Sequence, residues 1–127
     1  MILIDTSIAI DLRDGNEVTT LLVAALPERP YFSMITRIEL EGGVYRDPNF
    51  AEFRRRLLDA LLLRFPVVNI GDADLAAYGQ IIARCGFDQR RISDRLIAAQ
   101  AIARNASLIS ARPDSFSDIP DLKLVAW

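Results

Sequence analysis

Three acidic residues stand where an α/β chain brings separate segments to one edge. Asp5 ends the apolar run Ile2-Leu3-Ile4, Glu39 follows Tyr31-Phe32-Ser33 by a few residues, and Asp94 opens a long helical pattern of small and aliphatic residues. Asp114 and Asp118 lie in the loop after a further β-forming run, Ser107-Leu108-Ile109. Ligands of open parallel sheets meet the carboxyl ends of the strands, so these acids can converge on one rim. Carboxylates gathered closely repel one another and raise their own pKa values unless a cation holds them, and hard oxygen donors select Mg²⁺ or Mn²⁺. Such an ion lowers the pKa of a bound water and neutralises a phosphodiester during in-line displacement, which is nuclease chemistry.

Composition narrows the choice in the same direction. The 127 residues contain no histidine, which excludes histidine bases, Ser-His-Asp and Cys-His nucleophiles, and imidazole zinc sites. The single cysteine, Cys85, cannot form an internal disulfide and falls in an apolar helical pattern, where packing accounts for it. Pattern alone still leaves each acid a second reading. Asp5 is also the expected cap of the helix after it, and Asp94 a first-turn acid favoured by the helix dipole. Glu39, between Arg37 and Glu41, reads equally as an ordinary exposed residue, and Asp114 and Asp118 as turn formers.

The elements that must position these residues alternate. Strands are predicted at Ile2 to Ile4, Pro30 to Ser33, Val67 to Ile70, Ser107 to Ile109 and Leu122 to Val125. Helices are predicted from Thr6 to Leu12, and from Glu17 to Leu26 with Val18, Leu21, Leu22 and Ala25 as its apolar positions. A third runs from Ile35 to Val44, weakened at Gly42-Gly43, and a fourth from Phe50 to Leu63 with Phe50, Phe53, Leu57, Leu58 and Leu61 on one face. A fifth, Ala73 to Cys85, places Leu75, Tyr78, Ile81 and Ile82 inward, and a sixth, Asp94 to about Arg104, takes Ser93 as its N-cap. The expected fold is one α/β domain over residues 1–127, a three-layer α/β/α sandwich around a mostly parallel sheet of four to five strands.

The formal charge is −2, so bulk electrostatics give no sign of nucleic-acid binding, yet 14 of the 15 basic residues are arginine, whose planar fork suits phosphate. Arg54-Arg55-Arg56 and Arg90-Arg91 are either a positive rim for RNA or solvated helix faces. Tyr31, Phe32, Phe53, Phe65, Tyr78 and Phe87 fall in apolar patterns that predict core or interface burial, so no stacking platform for bases is evident. No apolar segment reaches the roughly 18 residues of a membrane span, and a cytoplasmic protein is expected.

Three motifs in order carry a family resemblance that covers essentially the whole chain. Ile2-Leu3-Ile4-Asp5-Thr6-Ser7, Ile35-Thr36-Arg37-Ile38-Glu39-Leu40-Glu41-Gly42-Gly43-Val44 and Ser93-Asp94-Arg95-Leu96-Ile97-Ala98-Ala99-Gln100-Ala101 resemble those of PIN domains, in particular the VapC-like toxin ribonucleases of type II toxin-antitoxin pairs. The ending from Phe116 to Trp127 is similar as well. The resemblance implies a PIN-like fold and a Mg²⁺- or Mn²⁺-dependent endoribonuclease, with Asp5, Glu39 and Asp94 as the catalytic, metal-binding acids. It also implies a small cognate antitoxin that occupies the site and a homodimer, both using the early helices, where Leu21 and Val44 are expected to be exposed. Thr6 and Ser7 correspond to hydroxyl positions that hold the carboxylates, and Ser110 to a threonine of the family.

One departure bears on activity. The family adds a fourth acid or an asparagine after the fourth strand, in a Thr-Arg-Asn/Asp pattern, whereas this chain reads Ser110-Ala111-Arg112-Pro113-Asp114-Ser115-Phe116 and has Arg112 there. Asp114 takes the fourth place if Pro113 redirects the loop. Arg112 pointing inward would neutralise part of the cluster, and pointing outward would grip RNA phosphate, as would Arg90 and Arg91. A second reading is therefore a degenerate PIN domain that binds RNA or protein without cutting.

Overall fold

The computed structural model describes all 127 residues. Strands β1 (Ile2–Ile4), β2 (Tyr31–Ser33), β3 (Val67–Val68), β4 (Ser107–Ser110) and β5 (Lys123–Ala126) form one sheet in the order β3-β2-β1-β4-β5. Every pairing is parallel, with Ile4 opposite Phe32 on one side and Ile109 on the other. Between the strands run α1 (Thr6–Arg13), α2 (Glu17–Ala24), α3 (Met34–Tyr45), α4 (Ala51–Arg64), α5 (Asp72–Cys85) and α6 (Ile92–Ala103). Parallel neighbours need crossovers, and here the crossovers are the helices.

The period-two alternation of the short central strands divides the core between two faces. Ile4 and Ile109 point to a cluster with Ile8, Leu12, Val23, Leu40, Leu58 and Leu61, whereas Leu3 and Leu108 point to Ile81, Ile97, Ala98, Ala101 and Phe116. Helices α1, α2 and α4 thus cover one face and α5 and α6 the other, while α3 contributes Leu40 to the first cluster and Ile35 to the second. The small residues of α6 are fully buried and let its backbone approach the sheet. The sheet is the α/β/α sandwich expected from the alternation of elements, with five strands.

Several local expectations are corrected. Helix α6 begins at Ile92, and Ser93 lies inside it, not at its cap, because a 3₁₀ turn over Gln89–Arg91 feeds directly into the helix and is itself capped by Asp88. Helix α3 continues through Gly42 and Gly43 to Tyr45, and β3 stops at Val68. Helix α2 is turned the other way: Thr19 and Val23 face the core, while Val18, Leu21 and Leu22 are exposed. The side chain of Asn16 accepts from Thr19 N, and Thr19 Oγ1 donates to Asp11, which fixes that rotation. Leu75 is exposed because Asp74, one residue earlier, is taken inward by Gly71 N and Arg104. Phe50, Phe53 and Phe87 are likewise solvent-exposed, and Val44 is fully buried against α4 and the sheet rather than lying on a docking surface.

Candidate active site

The order β3-β2-β1-β4-β5 reverses its direction of winding between β1 and β4, and the crevice at that switch point is where open α/β sheets bind ligands. Asp5 leaves the end of β1 at that crevice and is 1% exposed. It does cap α1, accepting from Ile8 N at 3.3 Å, so the structural reading of this residue holds beside any chemical one. Ser7 Oγ donates to its Oδ1 at 2.5 Å, and Ser110 Oγ, from the end of β4, donates to its Oδ2 at 2.6 Å. Ser7 Oγ in turn accepts from Ala111 N and Ser110 Oγ from Arg112 N, so two strand ends are stitched around one carboxylate.

Glu39 comes from α3, the helix that follows β2. Thr6 Oγ1 donates to Glu39 Oε1 at 3.0 Å and lies 3.0 Å from Thr36 Oγ1. Thr36 is fully buried, one turn before Glu39 on the same helix face, and was missed in the sequence motif although that i,i+3 spacing is a readable signal. Asp94 stands in the first turn of α6. Desolvation is the main reason the Glu39 carboxyl titrates above its ordinary range, with the charges of Asp94 and Asp5 adding to it against the Thr6 hydrogen bond and Arg112. Asp94 is raised too, first by desolvation and then by Asp5, against the opposing pull of Arg112, Arg91 and Arg95. The three acids are therefore within electrostatic reach of one another.

Arg112 points inward: its Nη2 is 3.6 Å from Asp94 Oδ1, while its side chain remains 57% exposed. Asp114 is exposed in a 3₁₀ turn over Pro113–Ser115 that Pro113 begins, and its backbone carbonyl accepts from Ser117 Oγ. Asp118 is drawn into a two-bonded pair with Arg95 at 2.8 and 2.7 Å. Glu41 is held by Arg55 and faces away from Glu39. The arginine triplet is spent within the fold: Arg54 reaches Gly43 O, Arg55 pairs with Glu41 and Asp59, and Arg56 with Glu52. Arg90 and Arg91 both pair with Asp88.

The donors at the rim are hard oxygens, and two of the carboxyls titrate above their ordinary range for want of compensating charge, which a hard divalent cation would supply, although no three acids stand together as a ready-made metal cage. Hydroxyls already occupy both oxygens of Asp5, and a guanidinium stands at Asp94.

A parallel sheet with acids at its switch point defines an α/β protein whose site is carboxylate-based. The chain belongs to the PIN domain family, which matches residues 2–122. It is 31% identical to "Ribonuclease VapC2" of Rickettsia felis over 99 residues, covering 75% of this chain and 72% of that protein. Among solved structures it resembles VapBC2 from Rickettsia felis bound to a DNA fragment from its promoter, at 27% identity and a TM-score of 0.85 over 100% of this chain and 99% of that one. VapBC-1 from nontypeable Haemophilus influenzae gives 26% identity and a TM-score of 0.82 over 100% and 98%. No helix is long and apolar enough to cross a membrane.

Proposed function

We propose that this chain, as a single PIN-like domain, is a metal-dependent endoribonuclease and the toxin of a type II toxin-antitoxin pair. The observation that carries this reading is that Asp5, Glu39 and Asp94, from three separate elements, feel one another's charge, with the carboxyls of Glu39 and Asp94 raised by desolvation and by their acidic neighbours. Support comes from the similarity to a named ribonuclease and to toxin-antitoxin complexes, and the same similarity suggests a small antitoxin partner, a homodimer and a cytoplasmic setting. Asp5, Glu39 and Asp94 would hold a Mg²⁺ or Mn²⁺ ion. When bound, such an ion neutralises phosphodiester charge and increases the acidity of water.

The chain's own residues have distinct tasks. Ser7 and Ser110 orient the Asp5 carboxylate, and Thr6, backed by Thr36, orients that of Glu39. Asp94 presents its carboxylate from the start of a rigid, fully packed helix. Arg90 and Arg91 would attract the RNA backbone, whereas Arg112 is turned to Asp94.

Cleavage of total RNA by the purified chain, with Mg²⁺ or Mn²⁺ against EDTA, tests the reading. Metal-dependent cutting that is lost in Asp5→Asn, with the variant still folded, is the expected result. A second reading, a non-catalytic RNA- or protein-binding PIN domain, is favoured by one observation, the Arg112–Asp94 ion pair, which places a fixed positive charge in the site. Folded, antitoxin-free protein that cuts nothing even at high Mn²⁺ would establish that alternative.

A further inference from the structure

Where the chain passes from α5 into α6 lies a polar surface groove of about 570 Å³ lined in part by Phe87, Asp88, Arg90, Arg91, Arg95 and Asp118. Arg91 immediately precedes α6 and Asp94 lies three residues later, so the groove and the carboxylate share one side of the helix start. Three guanidinium groups face two carboxylates there, leaving the groove with an excess of positive charge beside an acidic rim.

Two features of this groove lack an explanation within the chain. Arg95 is 4% exposed, and although its two terminal nitrogens are matched to Asp118, its buried Nε–H has no hydrogen-bond partner. Buried donors are normally satisfied, because leaving one unpaired forfeits its hydration without replacement. Phe87, at the groove edge, is 68% exposed. Gly86, at φ +84°, ends α5 in a conformation that side-chain-bearing residues rarely adopt and sends the chain outward at Phe87. Two solvent-accessible arginines and an open aromatic face form a combination that matches one nucleotide: anionic at one end, flat and π-rich at the other.

We propose that this groove is a nucleotide subsite for the single-stranded RNA flanking the bond at the carboxylate rim, with Phe87 stacking a base and Arg90 and Arg91 receiving the phosphate. The proposal rests on the ribonuclease reading and deepens it by locating where the strand lies. The Asp88 and Asp118 carboxylates hold the arginines in place before RNA arrives and do not cancel them. Stacking is tolerant of base identity, so this subsite supplies affinity and register more than sequence choice.

The test is binding of a short, fluorescent, mixed-sequence single-stranded RNA to the full chain in EDTA, which separates binding from cutting. Phe87→Ala is expected to weaken binding roughly 5- to 100-fold, and Phe87→Trp to restore it. The Arg90→Gln/Arg91→Gln double variant is expected to lower the salt dependence of binding by up to about 1.4 in log–log slope, about 0.7 for each phosphate contact. Phe53→Ala, an equally open phenylalanine on α4, should bind as the unmodified chain does. All substituted side chains are at least partly exposed, and a thermal melt confirms that each variant folds. If the chain binds RNA but neither Phe87 nor the arginines matter, the subsite is overturned while the ribonuclease reading stands. If Phe87→Ala alters sedimentation but not RNA binding, the ring belongs to a protein contact and the proposal fails. No RNA binding by the unmodified chain in EDTA overturns the subsite, while the ribonuclease reading is decided separately by the cleavage assay.

Discussion

Carboxylates and guanidinium groups are used in opposite ways on two sides of this molecule. Along α5 and α6, two acids have arginines of their own: Asp74 is gripped by Arg104 and by Gly71 N, and Asp118 by two nitrogens of Arg95. At the β1–β4 crevice, the one guanidinium in ion-pair contact with Asp5, Glu39 or Asp94 is that of Arg112, with Arg91 and Arg95 acting on Asp94 from further away. Titration follows the pairing. The Arg95 hydrogen bonds hold Asp118 below the ordinary carboxylate range, while burial and neighbouring acids push Glu39 and Asp94 above it. Matched pairs brace the fold, whereas unmatched acids cost stability and stay available to an outside cation, which distinguishes the two regions more sharply than residue type does.

The largest expected effect comes from breaking a matched pair. Asp74→Ala removes a 1% exposed carboxylate that joins α5 to α6, leaves Arg104 without its partner, and should cost about 3 kcal/mol in chemical denaturation. Asp118→Ala should cost about 2 kcal/mol, less than a fully buried pair because Asp118 is half exposed. Its pH dependence has a definite sign. Since the folded pKa lies below the unfolded one, the stabilisation is complete above about pH 3.9 and lost as pH falls further, so the gap between variant and parent should close in acid.

Making the rim still less balanced should tighten cation binding. Arg112→Asp exchanges the one guanidinium for a carboxylate, and calorimetry should register Mn²⁺ affinity higher by about tenfold. Unchanged affinity would place Arg112 outside the cation's surroundings. The smallest effect is expected from Glu39→Gln, which keeps the Thr6 hydrogen bond and removes a desolvated charge. Glu39 has a raised folded pKa, so the parent loses stability as pH rises above the ordinary glutamate range of about 4.3, and the variant does not. The variant should melt up to a few degrees higher at pH 7 and equally below about pH 4. A lower melting temperature at pH 7 would mean that the Glu39 charge is compensated after all.

The site acids and the sheet were legible for the same reason. Short apolar runs followed at once by Asp5 or by the Ser33 turn mark strand ends, and in a strand-helix alternation strand ends share a rim. Helix rotation was less legible. The apolar stripe of α2 reads as a core face, yet the Asp11–Thr19 and Asn16–Thr19 bonds turn Thr19 and Val23 inward. Local periodicity shows that a helix has two faces and not which one the preceding turn aims at the sheet. Phe87 was misread because an aromatic after a helical pattern resembles a core residue until Gly86 is seen to send the chain outward. Long-range polar pairs have no signature in spacing. Gln100, fully buried, accepts from Ser33 Oγ and donates to the carbonyls of Val68 and Asn69, joining α6 to β2 and β3 across distant segments. Arg95 and Asp118 are the same case, and the reassignment of Asp118 from rim acid to arginine partner followed only from their contact.

The bond from Ser110 to Asp5 spans 105 residues and has a temporal meaning. Asp5 leaves the ribosome 105 residues ahead of Ser110, so the hydroxyl and strand that orient it emerge on the order of 5 to 20 s later at usual elongation rates. A nascent chain therefore carries its acids without an assembled rim through most of its synthesis. A chain that stops before Ser107 leaves β1 without its β4 neighbour, and Asp5 without the Ser110 hydroxyl that orients it.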